Sequence, residues 1–173
     1  MILAVDMHYA GNDTATAAGV MFKEWHSDTT EQVVTHQVEQ VAPYRPGFFF
    51  ERELPGILAL MSKLDGWPET IIIDGYVWLG TDHRPGLGAH LHAALRSAIP
   101  VIGIAKTRFH GTPPGTEVLR GLSARPLFVT AAGIDAETAK SLVRSMHGQF
   151  RMPTMLSEVD RACRLAIQAP EGA

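Results

Sequence analysis

Ile71-Ile72-Ile73-Asp74-Gly75 is the stretch whose reading decides the fold. Three β-branched residues in succession suit a strand buried on both faces, as in the parallel part of a sheet covered by helices. The run then stops on a carboxylate and a turn glycine. In open α/β sheets ligands gather at the carboxyl ends of strands, so Asp74 stands where chemistry would be done. Taken alone, such an Asp can equally open a turn through side-chain to backbone hydrogen bonds.

Upstream, Ile2-Leu3-Ala4-Val5-Asp6 is a second short apolar run that ends on an acid. A carboxylate in a strand is expensive to bury unless it is paired or binds a cation, although a strand-end Asp can also face water. Thr14 to Trp25 and Glu31 to Val41 read as two further strands, the latter alternating, so the first third predicts a three-stranded antiparallel meander. Pro43-Tyr44-Arg45-Pro46-Gly47-Phe48 is a stiff turn with an aromatic tip. Tyr44 there could stack on a base or wedge into a duplex, or it could pack on the core. A helix is expected over about Phe49 to Leu64, with Pro55 in its first turn. Glu53 falls on its apolar stripe and Glu51 does not. Glu53 therefore has either a cation to bind or a helix N-terminus to complement.

Downstream, Tyr76 to Arg84 reads as a loop with Trp78 exposed, and Pro85 to Ala98 as a helix whose His90 and His92 point to different faces. Ile99 to Ala105 is another strand, followed by Lys106 much as Asp74 follows its own strand. A Lys there can neutralise a phosphate or simply face solvent. His110 to Gly121 is expected to be irregular, Pro126 to Thr130 to be a last short strand, and Asp135 to His147 to be a helix opened by Asp135. In a final helix over about Met155 to Gln168, Asp160 shares the stripe of Leu156, Val159, Cys163 and Ile167. Ser157 and Asp160 are also spaced as a capping box.

The bulk numbers restrict the setting. A length of 173 residues fits one domain, residues 1–173, with a core that needs no staples. No apolar run reaches the roughly 20 residues of a membrane span. Met1 to Asp6 enters a strand pattern at once and does not read as a signal peptide. With the single Cys163 excluding a disulfide framework, a cytoplasmic monomer with no membrane partner is expected. The net charge of −3 gives no global sign of nucleic-acid binding, yet a local basic groove can serve on an acidic protein.

Four acids now carry the functional reading. If the strands of Asp6 and Asp74 are neighbours, Glu53 comes from the helix between them and Asp160 from the last helix. Hard cations such as Mg²⁺ or Mn²⁺ want oxygen ligands, and they relieve the repulsion of crowded carboxylates. Such a site serves phosphodiester displacement. The predicted class is α/β, a ribonuclease H-like mixed sheet of a three-stranded antiparallel meander plus parallel strands, flanked by helices.

The same residues carry a family resemblance. Pro43-Tyr44-Arg45-Pro46-Gly47-Phe48 with Arg52-Glu53-Leu54-Pro55 resembles the endonuclease V signature, and Val5-Asp6, Ile73-Asp74-Gly75, Pro100 to Lys106, Pro126 to Val129 and Phe150-Arg151-Met152-Pro153 follow in the family's order. The resemblance implies a Mg²⁺-dependent endonuclease acting on deoxyinosine in DNA or inosine in RNA, in DNA repair. It would cut the second phosphodiester 3′ of the lesion, leaving a 3′ hydroxyl and a 5′ phosphate. Asp6, Glu53, Asp74 and Asp160 match the metal-binding acids, Lys106 the lysine near the scissile phosphate, and Tyr44 with Pro46 and Gly47 the wedge. Gly75, Tyr76, His83 and Arg84 match the region that lines the base pocket. There the family reads Asp-Gly-His-Gly and then His-Pro-Arg-Arg. Here Tyr76-Val77-Trp78 replaces the small residues, which implies less room and weaker selection for hypoxanthine. Two other classes remain open at this level: a non-catalytic nucleic-acid-binding relative, and a structure-selective ribonuclease H-like nuclease indifferent to inosine.

Overall fold

The computed structural model describes residues 1–11, 13–46 and 48–168. Along the chain come β1 (Ile2–Tyr9), β2 (Ala15–Phe22), β3 (Gln32–Val38), α1 (Phe50–Met61), β4 (Thr70–Asp74), β5 (Trp78–Leu79), β6 (Arg84–Pro85), α2 (Leu87–Ala94), β7 (Val101–Ala105), β8 (Glu117–Val118), β9 (Leu127–Ala132), α3 (Ala136–Ser145) and α4 (Thr154–Gln168). Seven strands form one sheet in the order β3-β2-β1-β4-β7-β9-β8. The first three are the expected antiparallel meander. β4 joins β1 in parallel and β7 joins β4 in parallel, before β9 turns the direction again. This is the mixed ribonuclease H-like sheet expected.

Strand alternation explains why the Ile run had to be continuous. Ile72 packs with Ile102, Val129, Val143 and Val159 beneath α3 and α4. Ile71 and Ile73 pack with Ile57, Leu60 and Leu91 beneath α1 and α2. All three isoleucines are fully buried. Each contributes about 1.5–3 kcal/mol over an exposed side chain, so β4 is the keel shared by two cores. Asp135 caps α3 as expected, its carboxylate accepting from Thr138 N at 2.9 Å.

Several expectations are corrected. Pro55 lies beyond the first turn of α1, which starts at Phe50 and is preceded by tight bonds from Glu51 N to Phe48 O and from Arg52 N to Phe49 O. The segment after β4 is not an open loop. β5 pairs antiparallel with β6, and Trp78 is half-buried with its indole Nε1 donating to Ala131 O at 2.9 Å. Pro85 therefore belongs to β6, and α2 starts two residues later. The stretch before Gly121 contains β8, which pairs with β9 and forms the far edge of the sheet. Ser157 is inside α4, its hydroxyl donating to Pro153 O, so it does not form a capping box with Asp160.

Candidate active site

The parallel register of β1 and β4 runs to Val5 opposite Ile73 and ends there. Asp6 and Asp74 come next on each strand, at the point where the pairing stops. β1 itself continues to Tyr9 against β2, so Asp6 is not at a strand end but at the place where the strand loses its parallel neighbour. Asp6 Oδ1 accepts from Met7 N at 2.8 Å, and the Cys163 thiol of α4 donates to Asp6 O at 3.2 Å. Glu53 arrives from α1 with only 8% of its surface exposed, and Tyr9 Oη donates to its Oε1 at 3.2 Å. The Tyr9 ring is held in turn by the Arg52 guanidinium, 4.7 Å from its centroid, and by Phe49. Lys106 follows β7 and places Nζ 2.6 Å from Asp74 Oδ2. Asp160 extends from α4, where Arg164 one turn on binds its carboxylate at 3.1 Å.

The charges are under strain. Burial, then the neighbouring Asp74, pushes the Asp6 carboxyl up to about 6. Burial pushes Glu53 up to about 8, against the relief that the Tyr9 hydrogen bond gives, with Asp6 and Asp74 adding to the rise. Lys106 is partly desolvated, which opposes its charge, but the bond to Asp74 and the charges of Asp74, Asp6 and Asp160 outweigh this and raise its pKa.

Beside these groups opens a cavity of about 570 Å³. Tyr44, Phe49, Phe50, Tyr76, Leu79 and Phe109 supply its aromatic and aliphatic wall, and Glu53 and Asp74 its floor. Tyr44 is 65% exposed at the rim. The Tyr76 hydroxyl is committed within the protein: Oη donates to Thr107 O at 2.9 Å and accepts from Phe109 N at 3.1 Å.

The sequence-predicted residues divide accordingly. Asp6, Glu53, Asp74 and Lys106 are gathered, with Asp160 close enough for its charge to be felt at Asp6 and Lys106. Tyr44, Gly75, Tyr76 and Arg84 line the cavity, Arg84 with its guanidinium on Asp82 at 3.2 Å. Pro46 is exposed in the turn, and Gly47 lies outside the described residues. His83 stands apart, edge-on to Trp78 at 6.3 Å. Val77 and Trp78, expected to crowd the pocket, do not line it. Val77 is fully buried, and Trp78 is turned toward β9.

Tyr9, Gly103 and Thr130 were missed. Tyr9 shares the face of Val5 and Met7, the α1 side of the sheet, so period-two reading past Asp6 would have aimed it at Glu53. Gly103 allows the turn after β4 to close over β7, since a Cβ there would meet Gly75 O at 2.6 Å. Thr130 Oγ1 accepts from Val77 N at 2.8 Å and fixes the same turn. Nothing in the local sequence of either residue marks this role.

The donor set is all carboxylate oxygen, suited to a hard divalent cation. Among the described residues no three His, Cys, Asp or Glu side chains are drawn together as a finished coordination sphere. Lys106 instead neutralises Asp74, Arg164 holds Asp160, and Tyr9 holds Glu53. A buried carboxyl pushed to about 8 in such company fits a cation, because incoming positive charge would offset the burial, and after it the neighbouring charges, that keep the proton on.

A mixed sheet with acids where its two neighbouring parallel strands part, a further acid from each covering face, and a cationic side chain beside them defines a ribonuclease H-like hydrolase. The endonuclease V family model matches residues 1–161. An endonuclease V of Rhodospirillum centenum is 30% identical over 88% of this chain and 72% of its own length. One of Alkalilimnicola ehrlichii is 39% identical over 80% of this chain and 69% of its own length. Among solved structures, Ciona intestinalis endonuclease V in complex with a DNA containing an inosine followed by a ribo-adenosine superposes with a TM-score of 0.80 at 19% identity, covering 96% of this chain and 85% of that one. The chain belongs to the endonuclease V family and is accordingly a nuclease, a hydrolase.

Proposed function

We propose that the chain hydrolyses a phosphodiester bond near inosine or deoxyinosine in nucleic acid, with a divalent cation held by Asp6, Glu53, Asp74 and Asp160, and that it serves nucleic-acid repair. The observation that carries this reading is a buried Glu53 that feels the charges of Asp6 and Asp74 and, with Asp74, lines a cavity of about 570 Å³, large enough for one extruded base. The relative from Ciona intestinalis, solved with inosine-containing DNA, supports the choice of substrate.

Bound there, Mg²⁺ or Mn²⁺ would supply positive charge to the reacting phosphate and make a water more nucleophilic. The chain's own groups do the rest. Lys106 holds Asp74 before the reaction and faces the phosphate during it, where its charge offsets the charge developing on the phosphate oxygens. Water forms the new P–O bond as the P–O3′ bond breaks, and a proton ends on the 3′ oxygen, giving a 3′ hydroxyl and a 5′ phosphate. Tyr44 fills the gap left by the extruded nucleotide, with Pro46 stiffening the turn. The aromatic wall of Phe49, Phe50 and Phe109 then stacks the base and excludes water.

Paired strands with and without a single inosine, in DNA and in RNA, with Mg²⁺ or Mn²⁺, test the proposal. Cuts confined to the 3′ side of inosine support it. Absence of metal-dependent cutting on all four substrates would leave a binding protein built on a nuclease fold.

A further inference from the structure

We propose that the surface around Phe150 and Leu122 is a second nucleic-acid contact, a platform on which bases flanking the reacting nucleotide stack; this rests on the nuclease reading of the Lys106 site. Phe150 is 71% exposed and Leu122 fully exposed, two large apolar side chains set side by side in water. The scaffold beneath them is rigid. Arg120, buried to 5% exposure, donates through Nη1 to Phe150 O at 3.1 Å and Arg151 O at 3.2 Å, and through Nη2 to Met146 O and to Gly148 O at 3.3 Å. At Gly121, φ is +57° and an added Cβ would meet Gln149 O at 2.1 Å, so the two loops touch backbone to backbone. A buried guanidinium committed to one loop's carbonyls fixes the backbone that carries the exposed phenyl ring, and so fixes where that ring stands in the surface.

Charge and continuity identify the guest of that ring. Residues 106–153 contain seven Lys or Arg and three Asp or Glu, in a chain whose net charge is −3. Arg120 and Lys140 are buried, which leaves Lys106, Arg108, Arg125, Arg144 and Arg151 against Glu117, Asp135 and Glu137 on the accessible surface, still a positive surplus on an acidic protein, as a phosphate backbone requires. Arg151, next to Phe150, donates through Nη2 to Lys106 O and to Pro126 O, the latter at 2.6 Å. The platform is thus tied to the residue that faces the reacting phosphate, and a strand leaving the active site would pass onto it. A backbone fixed before binding leaves only the side-chain torsions of Phe150 to be ordered when a base stacks on its ring. Every base offers a π-face, so the contact adds affinity without choosing sequence.

The test measures binding of fluorescein-labelled inosine strands of increasing length, in chelator, to the parent protein and to Phe150→Ala, Phe150→Trp and Leu122→Ser. The parent should gain affinity with length. Phe150→Ala should lose about tenfold on long strands alone, and Phe150→Trp should keep or improve on the parent. A 2-aminopurine moved along the flanks should be quenched at one or two positions by the parent and released by Phe150→Ala. Equal affinities of Phe150→Ala and parent at every length, with the parent still cutting at inosine, would overturn the platform and leave the proposed function intact. A parent that neither binds nor cuts any of these strands would overturn both.

Discussion

At the residue scale, burial first and neighbouring acids second raise the carboxyls of two of the acids, Asp6 and Glu53. Asp6 and Glu53 have folded pKa values of about 6 and about 8, above their ordinary 3.8 and 4.5. The folded chain therefore keeps protons that the unfolded chain has released. Stability is full below the ordinary values and is lost as pH rises through about 6 and then about 8. Calorimetry of metal-free protein should show the melting temperature falling across that window, and Glu53→Gln should flatten the upper part of it. Asp6→Asn should abolish cutting yet melt no lower than the parent without metal, since it removes a charge that its neighbours oppose. A large fall would make Asp6 structural. Tyr9→Phe keeps the ring between Arg52 and Phe49 and removes only the bond to Glu53. Mn²⁺ affinity, read by titration calorimetry, should fall several-fold while the melting temperature holds; the reverse pattern would reduce Tyr9 to packing. Lys106→Ala should lower kcat far more than substrate affinity, and an unchanged kcat with a matching loss of affinity would make it a phosphate anchor.

At the element scale, the sequence was most legible where burial fixed the pattern. Ile71 to Ile73 announced β4, Asp135 announced the start of α3, and Glu53 was found because it interrupts an apolar stripe. The segment after β4 was misread because its structure is determined from a distance. Thr130 of β9 binds Val77, Ala131 binds the Trp78 indole, and β5 pairs with β6 over a connection with no strong hairpin signal. The misreading matters for selectivity. Crowding by Val77 and Trp78 does not occur, so room for a base remains. Hydrogen-bond readout by the pocket's neutral groups is nevertheless sparse, because the Tyr76 hydroxyl and the Gly75 and Gly86 amides that line it are already bonded within the protein. An aromatic slot with few free polar groups should discriminate well short of the 10⁴–10⁵ of a dedicated hydrogen-bonding pocket. The kcat/KM on an inosine strand and on its guanosine twin measures this, and a preference of that larger size would show that polar readout exists.

At the scale of the whole molecule, the mixed sheet followed from the order of its segments, and the five candidate catalytic residues could be named because each interrupts, ends or directly follows an apolar run. Tyr9 and the Arg120 scaffold could not, because their partners are 44 and about 30 residues away. No helix among the described residues is long and apolar enough to cross a membrane. The sheet has two unequal borders. One is closed by the two residues of β8, and the other is the seven-residue β3, with Val33 half exposed. Such a border invites another strand to add to it. Lys63, just past α1, donates its ammonium to Thr35 O at 3.0 Å, and so places a positive charge on the one border long enough to template a neighbour. A second copy approaching there would have to displace that lysine and bury its charge. Lys63 is thus a guard against fibrillar association, and Lys63→Ala should leave the active site untouched while raising light scattering in concentrated solutions.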